Sequence, residues 1–414
     1  MHLIASASAS FVTLLVISFI VLSLPVLISG SANDAADRVW PTKDGSPPKL
    51  YGHCGERFLM PEHTVASYEI AAIEGADYVE PDLVLTKDGI LVCYHDLAMK
   101  RATNVADHPE FADRRGNHSV YKDGKPDVVV DDWLIIHFTL DELKTLKVKQ
   151  QPDGVRPLYF NELFSIATFQ EFIDAVHKVS AKENGRAIGI IPELKHPFFH
   201  NFVFNSSENF MEEEYLNVLR SNGFPLTQSD EGKCKGVVDS QGSTKDIPCG
   251  PLIFQGFDKP SQQYLAQQIT LPEIMMNVHP DVYLLTPKGI QEIANFSDYL
   301  CIWKEFMYTG VEAEISYRGW QVDADLVSQM GGFLLPHQFV PFGHSLGLKM
   351  SLFTIPDSRE HSQRGCAVEC MDGLDRKNEM FYYFDMGIDS MFVENVPEAM
   401  RIRLEYESLL KNNL

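Results

Sequence analysis

Between Glu80 and Asp96 the chain reads EPDLVLTKDGILVCYHD, with two carboxylates at one end, a His-Asp pair at the other and a KDG turn between them. Side chains two apart on a strand share a face, so Glu80 and Asp82 can converge, and so can Glu193 and Lys195 of PELKHP. Three carboxylates from two strands repel one another unless a divalent cation sits among them, and an all-oxygen set suits Mg²⁺, Ca²⁺ or Mn²⁺ rather than zinc. His53 and His95, on other strands, could flank that cation as general acid and general base, because imidazole titrates near neutral pH. A metal, a lysine and two histidines together equip a site for attack at a phosphodiester. Each piece alone has a plainer reading. An E-x-D can bond loop amides, Asp96 can cap a helix beside an incidental His95, His53 can be a satisfied core histidine, and Lys195 and His196 can be surface charge. Their coincidence at strand ends favours the chemical reading.

Something must hold those ends together. Short apolar runs alternate with amphipathic stretches from Lys49 onward. KLYGH, DYVEPDLVLT, ILVCYHD, AIGIIPEL, PLIFQGF, VYLLT, LGLKMSLFTIP and the closing MGIDSMFVENVP read as strands. TVASYEIAAIEGA, ELFSIATFQEFIDAVHKVSAKENG and EEEYLNVLRSNGF read as helices, the first starting near Thr64 and stopping before Gly75. About eight strand-helix units predict a parallel (β/α)8 TIM barrel, an α/β fold, with an irregular polar insertion after the third strand over residues 98–157. An open doubly wound sheet would carry G-x-G-x-x-G after its first strand, and GHCGERFLMPEH has none. In barrels the reacting groups sit at the C-terminal ends of strands, where His53, Glu80, Asp82, His95, Glu193 and Lys195 all fall.

The chain carries 57 acidic and 35 basic residues over 414, a net charge of −22. That argues against non-specific binding to nucleic acid or anionic membranes, and requires cationic character for a phosphate substrate to be local. The partner expected is therefore a small molecule, with no nucleic acid and no protein partner. Residues 1–32, apolar from Phe11 to Ile28 and followed by small residues, read as a signal peptide cleaved near Ala32 or, since a basic n-region is missing, as a retained signal-anchor. Residues 33–48 have the composition of a linker, and 49–406 form the catalytic domain. Sequons at Asn117, Asn205 and Asn295 fit an exported glycoprotein, secreted or membrane-anchored. Of the seven cysteines, Cys234 and Cys249 could close a small disulfide loop and Cys366 and Cys370 another, and the odd number leaves at least one thiol over.

The stretch from Gly52 to Asp96 resembles the N-terminal signature of the glycerophosphodiester phosphodiesterase family. The resemblance is carried by His53-Cys54-Gly55, Pro61-Glu62-His63-Thr64, Glu80-Pro81-Asp82, Thr86-Lys87-Asp88-Gly89 and His95-Asp96. PELKHP, IFQGFD and MGIDSMFVENVPEAM resemble later strands of that family, so the likeness covers about residues 50–400. It implies a TIM barrel that hydrolyses glycerophosphodiesters to glycerol 3-phosphate and an alcohol, with the glycerol hydroxyl next to the phosphate attacking first. It implies that His53 and His95 act as acid and base, that Glu80, Asp82 and Glu193 bind Mg²⁺ or Ca²⁺, that Lys195 contacts phosphate, and that Glu62 supports the site. Two positions depart from the pattern. Cys54 stands where the family has arginine, and a thiol cannot replace a bidentate, permanently charged phosphate contact; either phosphate is held more weakly or Arg57 reaches in. Cys54 could pair with Cys93, although two separate buried thiols are the preferred expectation. His63 replaces an asparagine and is expected to be structural, without a catalytic role. Two other functions stay open: a lysophospholipase D-like enzyme, to which the apolar PFFHNFVF would be suited, and a secreted binding protein whose catalysis has weakened.

Overall fold

The computed structural model describes residues 40–412, apart from 123, 151–155, 183–185, 239–243, 280 and 357–375. The leader and the Cys366/Cys370 pair lie outside the described residues. Among the described residues no helix is long and apolar enough to cross a membrane.

Eight parallel staves close into a ring. They are β1 (Lys49–Gly52), β2 (Tyr78–Val79 and Asp82–Leu85), β3 (Gly189–Ile190 and Glu193–Leu194), β4 (Ile253–Gly256), β5 (Glu273–Val278), β6 (Tyr299–Trp303), β7 (Lys349–Ile355) and β8 (Ser390–Val393). Each pairs with the next, and β8 pairs back onto β1 with Lys49 opposite Ser390. The expected α/β barrel is the fold. Both β2 and β3 are interrupted at a proline, Pro81 and Pro192, which has no N–H to give the ladder.

Alternation along the staves sorts the core into two layers. Tyr51, Tyr78, Ile191, Ile253, Met275, Tyr299 and Phe392 fill the barrel interior. Their neighbours Leu50, Val79, Leu300, Met391 and Val393 face the surrounding helices. The interior is unusually aromatic, with Tyr51 meeting Tyr78 and Phe392 edge-on at 5.1 and 5.0 Å. Burying each such ring contributes roughly 1.5–3 kcal/mol.

Four sequence expectations change. The ILVCYHD strand, third in the chain and bearer of His95, is no stave: Leu91–Cys93 runs antiparallel to β2 as its hairpin partner. VYLLT is a turn of 3₁₀ helix, Val282–Leu285, and the staves β5 and β6, which the sequence reading did not pick out, take the two places. The described residues of the insertion form an antiparallel hairpin, Gly116–Lys122/Lys125–Asp132, and a helix, Leu140–Thr145, over a core of their own that includes Met99, Trp133 and Phe138. Trp40, in the stretch read as a linker, is buried against Phe384 and Tyr406. The Cys234–Cys249 disulfide is present, and Cys54 and Cys93 are separate buried thiols.

Candidate active site

The C-terminal ends of the staves surround a cavity of about 660 Å³. Register explains how its acidic cluster forms. Asp82 lies directly across from Glu193, and Glu193 across from Gln255, so three staves present one polar row. Glu80, two residues before Asp82, joins from the same face. Ligand oxygens of Glu80, Asp82 and Glu193 come within 4.8 Å of one another, and all three residues are buried. Around them, the Cys54 amide donates to Glu80 Oε2 at 2.6 Å and Gln255 Nε2 donates to Glu80 Oε1 at 3.3 Å. Asn277 Nδ2 in turn donates to Gln255 Oε1 at 2.9 Å, fixing the amide's orientation. Lys195 Nζ sits 2.7 Å from Glu193 Oε1 and 3.6 Å from Asp82 Oδ1.

One lysine is not enough charge for three acids. Burial, and then the neighbouring Asp82 and Glu193, push the Glu80 carboxyl well above the usual range. Burial also lifts Glu193, to about 7, with Asp82 adding to the rise and Lys195 opposing it. Burial would raise Asp82 as well, but Lys195, His95 and His63 hold it well below the ordinary value. Desolvation and like charge disfavour the ionised forms of Glu80 and Glu193 beside Asp82, and a divalent cation among the three oxygens fits that cluster.

The histidines come from opposite edges of this cluster. His53 follows β1, and its Nδ1 lies 3.3 Å from Arg57 Nη1 and 3.5 Å from Glu394 Oε1. Burial lowers its pKa, so the neutral ring is favoured. His95 is more open and holds Nδ1 3.3 Å from Asp96 Oδ1. The turn after β1 needs Gly55 at φ +84°, where a Cβ would stand 2.2 Å from Ser67 Oγ. Without that close approach, the helix Val65–Ile73, capped by Thr64, could not pack behind the site.

Arg57 does reach in. Its guanidinium contacts Glu62 at 2.9 Å and Glu394 at 3.1 Å, and lies 3.9 Å from the Cys54 sulfur. Arg101 binds Glu62 at 3.1 Å and Asp96 at 2.9 Å, and Arg156 binds Glu394 at 3.0 Å. Burial would raise the Glu394 carboxyl, but Arg57, His53 and Arg156 hold it well below its ordinary range. Glu62 is buried and does not line the cavity; it anchors two arginines that do. Seven lysines and arginines (Arg57, Arg101, Lys122, Arg156, Lys195, Lys304 and Arg318) line the cavity beside the carboxylates of Asp96, Glu305 and Glu394, each of the seven paired with an acid, so cationic groups are held in place around the space.

Sequence reasoning missed Glu394, Arg101, Arg156 and Gln255. The strand-end rule that selected His53 would have found Glu394, directly after β8, and Gln255, inside β4. Nothing local marks Arg101 or Arg156, which sit in or beside the insertion. His63 stands in the turn before the helix, as expected, with its Nε2 3.0 Å from Asp82 Oδ2 and its Nδ1 2.8 Å from the Tyr68 hydroxyl.

Comparison with known proteins agrees with this geometry. Residues 53–397 match the model of the glycerophosphoryl diester phosphodiesterase family. The chain is 32% identical to the glycerophosphodiester phosphodiesterase GDPD6 of Arabidopsis thaliana over 242 residues, 58% of each chain. It is 31% identical to a glycerophosphodiester phosphodiesterase of Haemophilus influenzae over 186 residues, 42% of this chain and 46% of that one. These matches thus span about half the length of the curated relatives. Among solved structures, an Oleispira antarctica phosphodiesterase in complex with the product sn-glycerol-3-phosphate aligns with TM-score 0.50 at 18% identity, covering 88% of this chain and 99% of that one. A Silicibacter pomeroyi structure aligns with TM-score 0.53 at 15% identity, over 89% and 98%. With 345 of 414 residues inside the matched segment, the chain belongs to the glycerophosphoryl diester phosphodiesterase family.

Proposed function

We propose that the protein hydrolyses glycerophosphodiesters to glycerol 3-phosphate and an alcohol. The carrying observation is the trio Glu80, Asp82 and Glu193, buried against Lys195, which itself lines a cavity together with both histidines. A divalent cation held by that trio, Mg²⁺ or Ca²⁺ by its donor chemistry, would supply charge neutralisation at the phosphoryl oxygens. The chain's own groups do the rest. Arg57, in place of the arginine absent at position 54, and Lys195 draw the phosphate toward the histidines. His53, kept neutral by burial, takes the proton of the attacking hydroxyl. His95, beside the ionised Asp96, gives a proton to the leaving alcohol; burial would raise Asp96, but His95 and Arg101 hold it low. Glu394 and Glu62 keep the arginines and His53 in place. The relatives' names and the product bound to the Oleispira antarctica protein support the same reaction class.

A second reading, a lysophospholipase D-like activity, draws on one observation. Phe198, Phe202 and Val203 are exposed on the helix that follows His196, and Tyr121, beside Lys122, packs on Phe198 and Phe202. Lys122 and His196 both line the cavity, so these apolar groups lie at its rim, where an acyl chain could rest. Secretion remains part of the proposal, and all three sequon asparagines are exposed. The test is release of glycerol 3-phosphate from glycerophosphocholine by purified protein with Mg²⁺ or Ca²⁺, beside lysophosphatidylcholine, with His53→Ala and EDTA controls. Turnover untouched by both controls would refute the mechanism, no turnover at all would favour the binding protein, and preference for the lysolipid would favour the second reading.

A further inference from the structure

Cys54 does more than vacate an arginine's place. Its sulfur lies 3.8 Å from Asp82 Oδ2, the same oxygen that His63 Nε2 meets at 3.0 Å. The donor atoms of Cys54, His63 and Asp82 all fall within 4.8 Å of one another, and all three residues are buried. Zinc binds thiolate at about 2.3 Å and imidazole or carboxylate at about 2.0–2.2 Å, so at the tetrahedral angle a sulfur and an oxygen on one ion stand about 3.6 Å apart and a nitrogen and an oxygen about 3.3 Å. The separations of 3.8 and 3.0 Å lie within a few tenths of an ångström of those values. Both Cys54 and His63 adopt left-handed backbone, φ 55° and 59°, in the turn that brings them onto Asp82.

We propose that Cys54, His63 and Asp82 form a second metal site, for a thiophilic cation of the zinc class, next to the all-oxygen trio and sharing Asp82 with it. Asp82 is suited to bridge: Oδ2 collects Cys54 and His63, while Oδ1 faces Lys195 and Glu193 across the register. The donor sets differ in kind. Sulfur, imidazole and one carboxylate select zinc or cobalt, whereas three carboxylates select magnesium or calcium. His63 already has the supporting contact that metal-bound histidines use, because the Tyr68 hydroxyl can accept from Nδ1–H and leave Nε2 to the ion. Coordination replaces the Cys54 thiol proton and the proton between His63 and Asp82, so two protons leave as one divalent ion enters. Burial pushes the Cys54 thiol up, and Arg57 beside the sulfur only partly opposes it, so the thiolate forms together with the ion. Three protein donors leave a fourth position open, as in zinc sites that bind substrate or water. This site goes beyond the hydrolytic reading, and its test is independent of turnover.

The experiment uses the full chain stripped of metal with EDTA and titrated with Co²⁺, then with Zn²⁺ in competition. The readouts are bound metal per chain and the thiolate-to-cobalt absorption band. The wild type should show the band and lose it to zinc. Cys54→Ser should lose the band and bind zinc more weakly by at least about 100-fold, the upper end of what even supporting contacts cost. Glu193→Gln, which touches only the all-oxygen trio, should keep the band. A saturated wild type without the band overturns the proposal with no variant needed, and so does a band that survives in Cys54→Ser or disappears in Glu193→Gln. Glycerol 3-phosphate release with Mg²⁺ or Ca²⁺, measured separately, shows whether the hydrolytic reading fails on its own account.

Discussion

The cavity has a wall of fixed charge, built by β8, β1, β2 and β3, and facing it a wall of rings, built by β4 to β7. On the first, His53, Arg57, Lys195 and Glu394 are tied to one another and to the buried acids within 2.7–3.6 Å. On the second, Phe257, His279, Trp303 and Phe353 line the space, and the charged groups are neutralised from behind. Lys304 is paired with Glu379 at 2.6 Å, and Arg318 with Glu314 at 3.0 Å while its guanidinium lies 4.4 Å over the Trp303 ring. The charged wall buries like charges side by side, a strain that a cation or a phosphate relieves, whereas the lysine and arginine of the ringed wall are each paired with an acid. Chemistry should therefore depend on the first wall and recognition of the departing alcohol on the second.

The sharpest way to break that contrast is a pair of substitutions. Asp82→Asn removes the carboxylate shared by the acidic trio and the proposed Cys54–His63–Asp82 site. Loss of several kcal/mol of transition-state stabilisation corresponds to a fall of about 1,000-fold or more in kcat. Phe257→Ala on the ringed wall should leave kcat within about tenfold, since it removes packing rather than charge. Steady-state release of glycerol 3-phosphate measures both, and comparable losses in kcat would erase the distinction between the walls.

Stability should divide the same way. Arg57→Ala leaves buried Glu62 with Arg101 and buried Glu394 with Arg156, a defect that should cost about 2–3 kcal/mol, less than the roughly 3–5 kcal/mol of a wholly unpaired buried charge. Arg318→Ala removes a partly exposed guanidinium from Trp303 and should cost about 1 kcal/mol. Denaturant unfolding of the two variants compares them directly. An Arg57 variant as stable as the wild type would mean that the charged wall is less tightly coupled than its distances suggest.

The same contrast explains what the sequence disclosed. Much of the charged wall was legible because its residues stand at the ends of strands with a distinctive spacing: Glu80 and Asp82, Glu193 and Lys195, His53 after KLYG; Glu394, also at a strand end, was missed. The eight-strand count was right for a partly wrong reason. IMMNV and YLCIW, the staves behind the rings, are buried on both faces and carry no alternation to betray them. ILVCYHD has a better strand pattern, yet it folds back on β2 as a hairpin, because KDG makes a tight turn and no crossover helix follows. His63 reads from the sequence as structural, and its approach to Asp82 depends on a left-handed turn that no spacing encodes. Arg101 and Arg156 depend on how the insertion folds over the site, which is a tertiary matter.

Acid should loosen the charged wall before the ringed one. His200 lies in the helix Pro197–Phe204 that begins just beyond Lys195 and is fully buried. Burial, with His196 adding to it, lowers its pKa to about 3. A lowered histidine favours the fold while it is neutral, so its contribution is complete above the unfolded value of about 6.5 and is lost as pH falls toward the folded value, at about 1.4 kcal/mol per pH unit. Wild-type stability should fall between pH 6.5 and 4 more steeply than that of His200→Leu, with the curves parallel above pH 7. Parallel curves throughout would show that His200 finds a proton-accepting partner in solution.

The smallest effect expected is on the ringed wall itself. Trp303 lies at the end of β6, contacts His279 and Phe306 edge-on at 5.0 and 5.2 Å, and carries Arg318 on its face. Ring pairs of this kind are each worth about 0.5–1.5 kcal/mol. Trp303→Ala should therefore raise KM by about tenfold with kcat little changed, and the size of the rise should differ between glycerophosphodiesters with different alcohols. The dependence on the alcohol is the informative part. The phosphate and its glycerol are common to every substrate, so a KM change uniform across alcohols would place Trp303 against the glycerol side. A change that varies with the leaving group places it where the alcohol rests, and would make the β4–β7 wall the part of this barrel free to vary while the chemistry stays fixed.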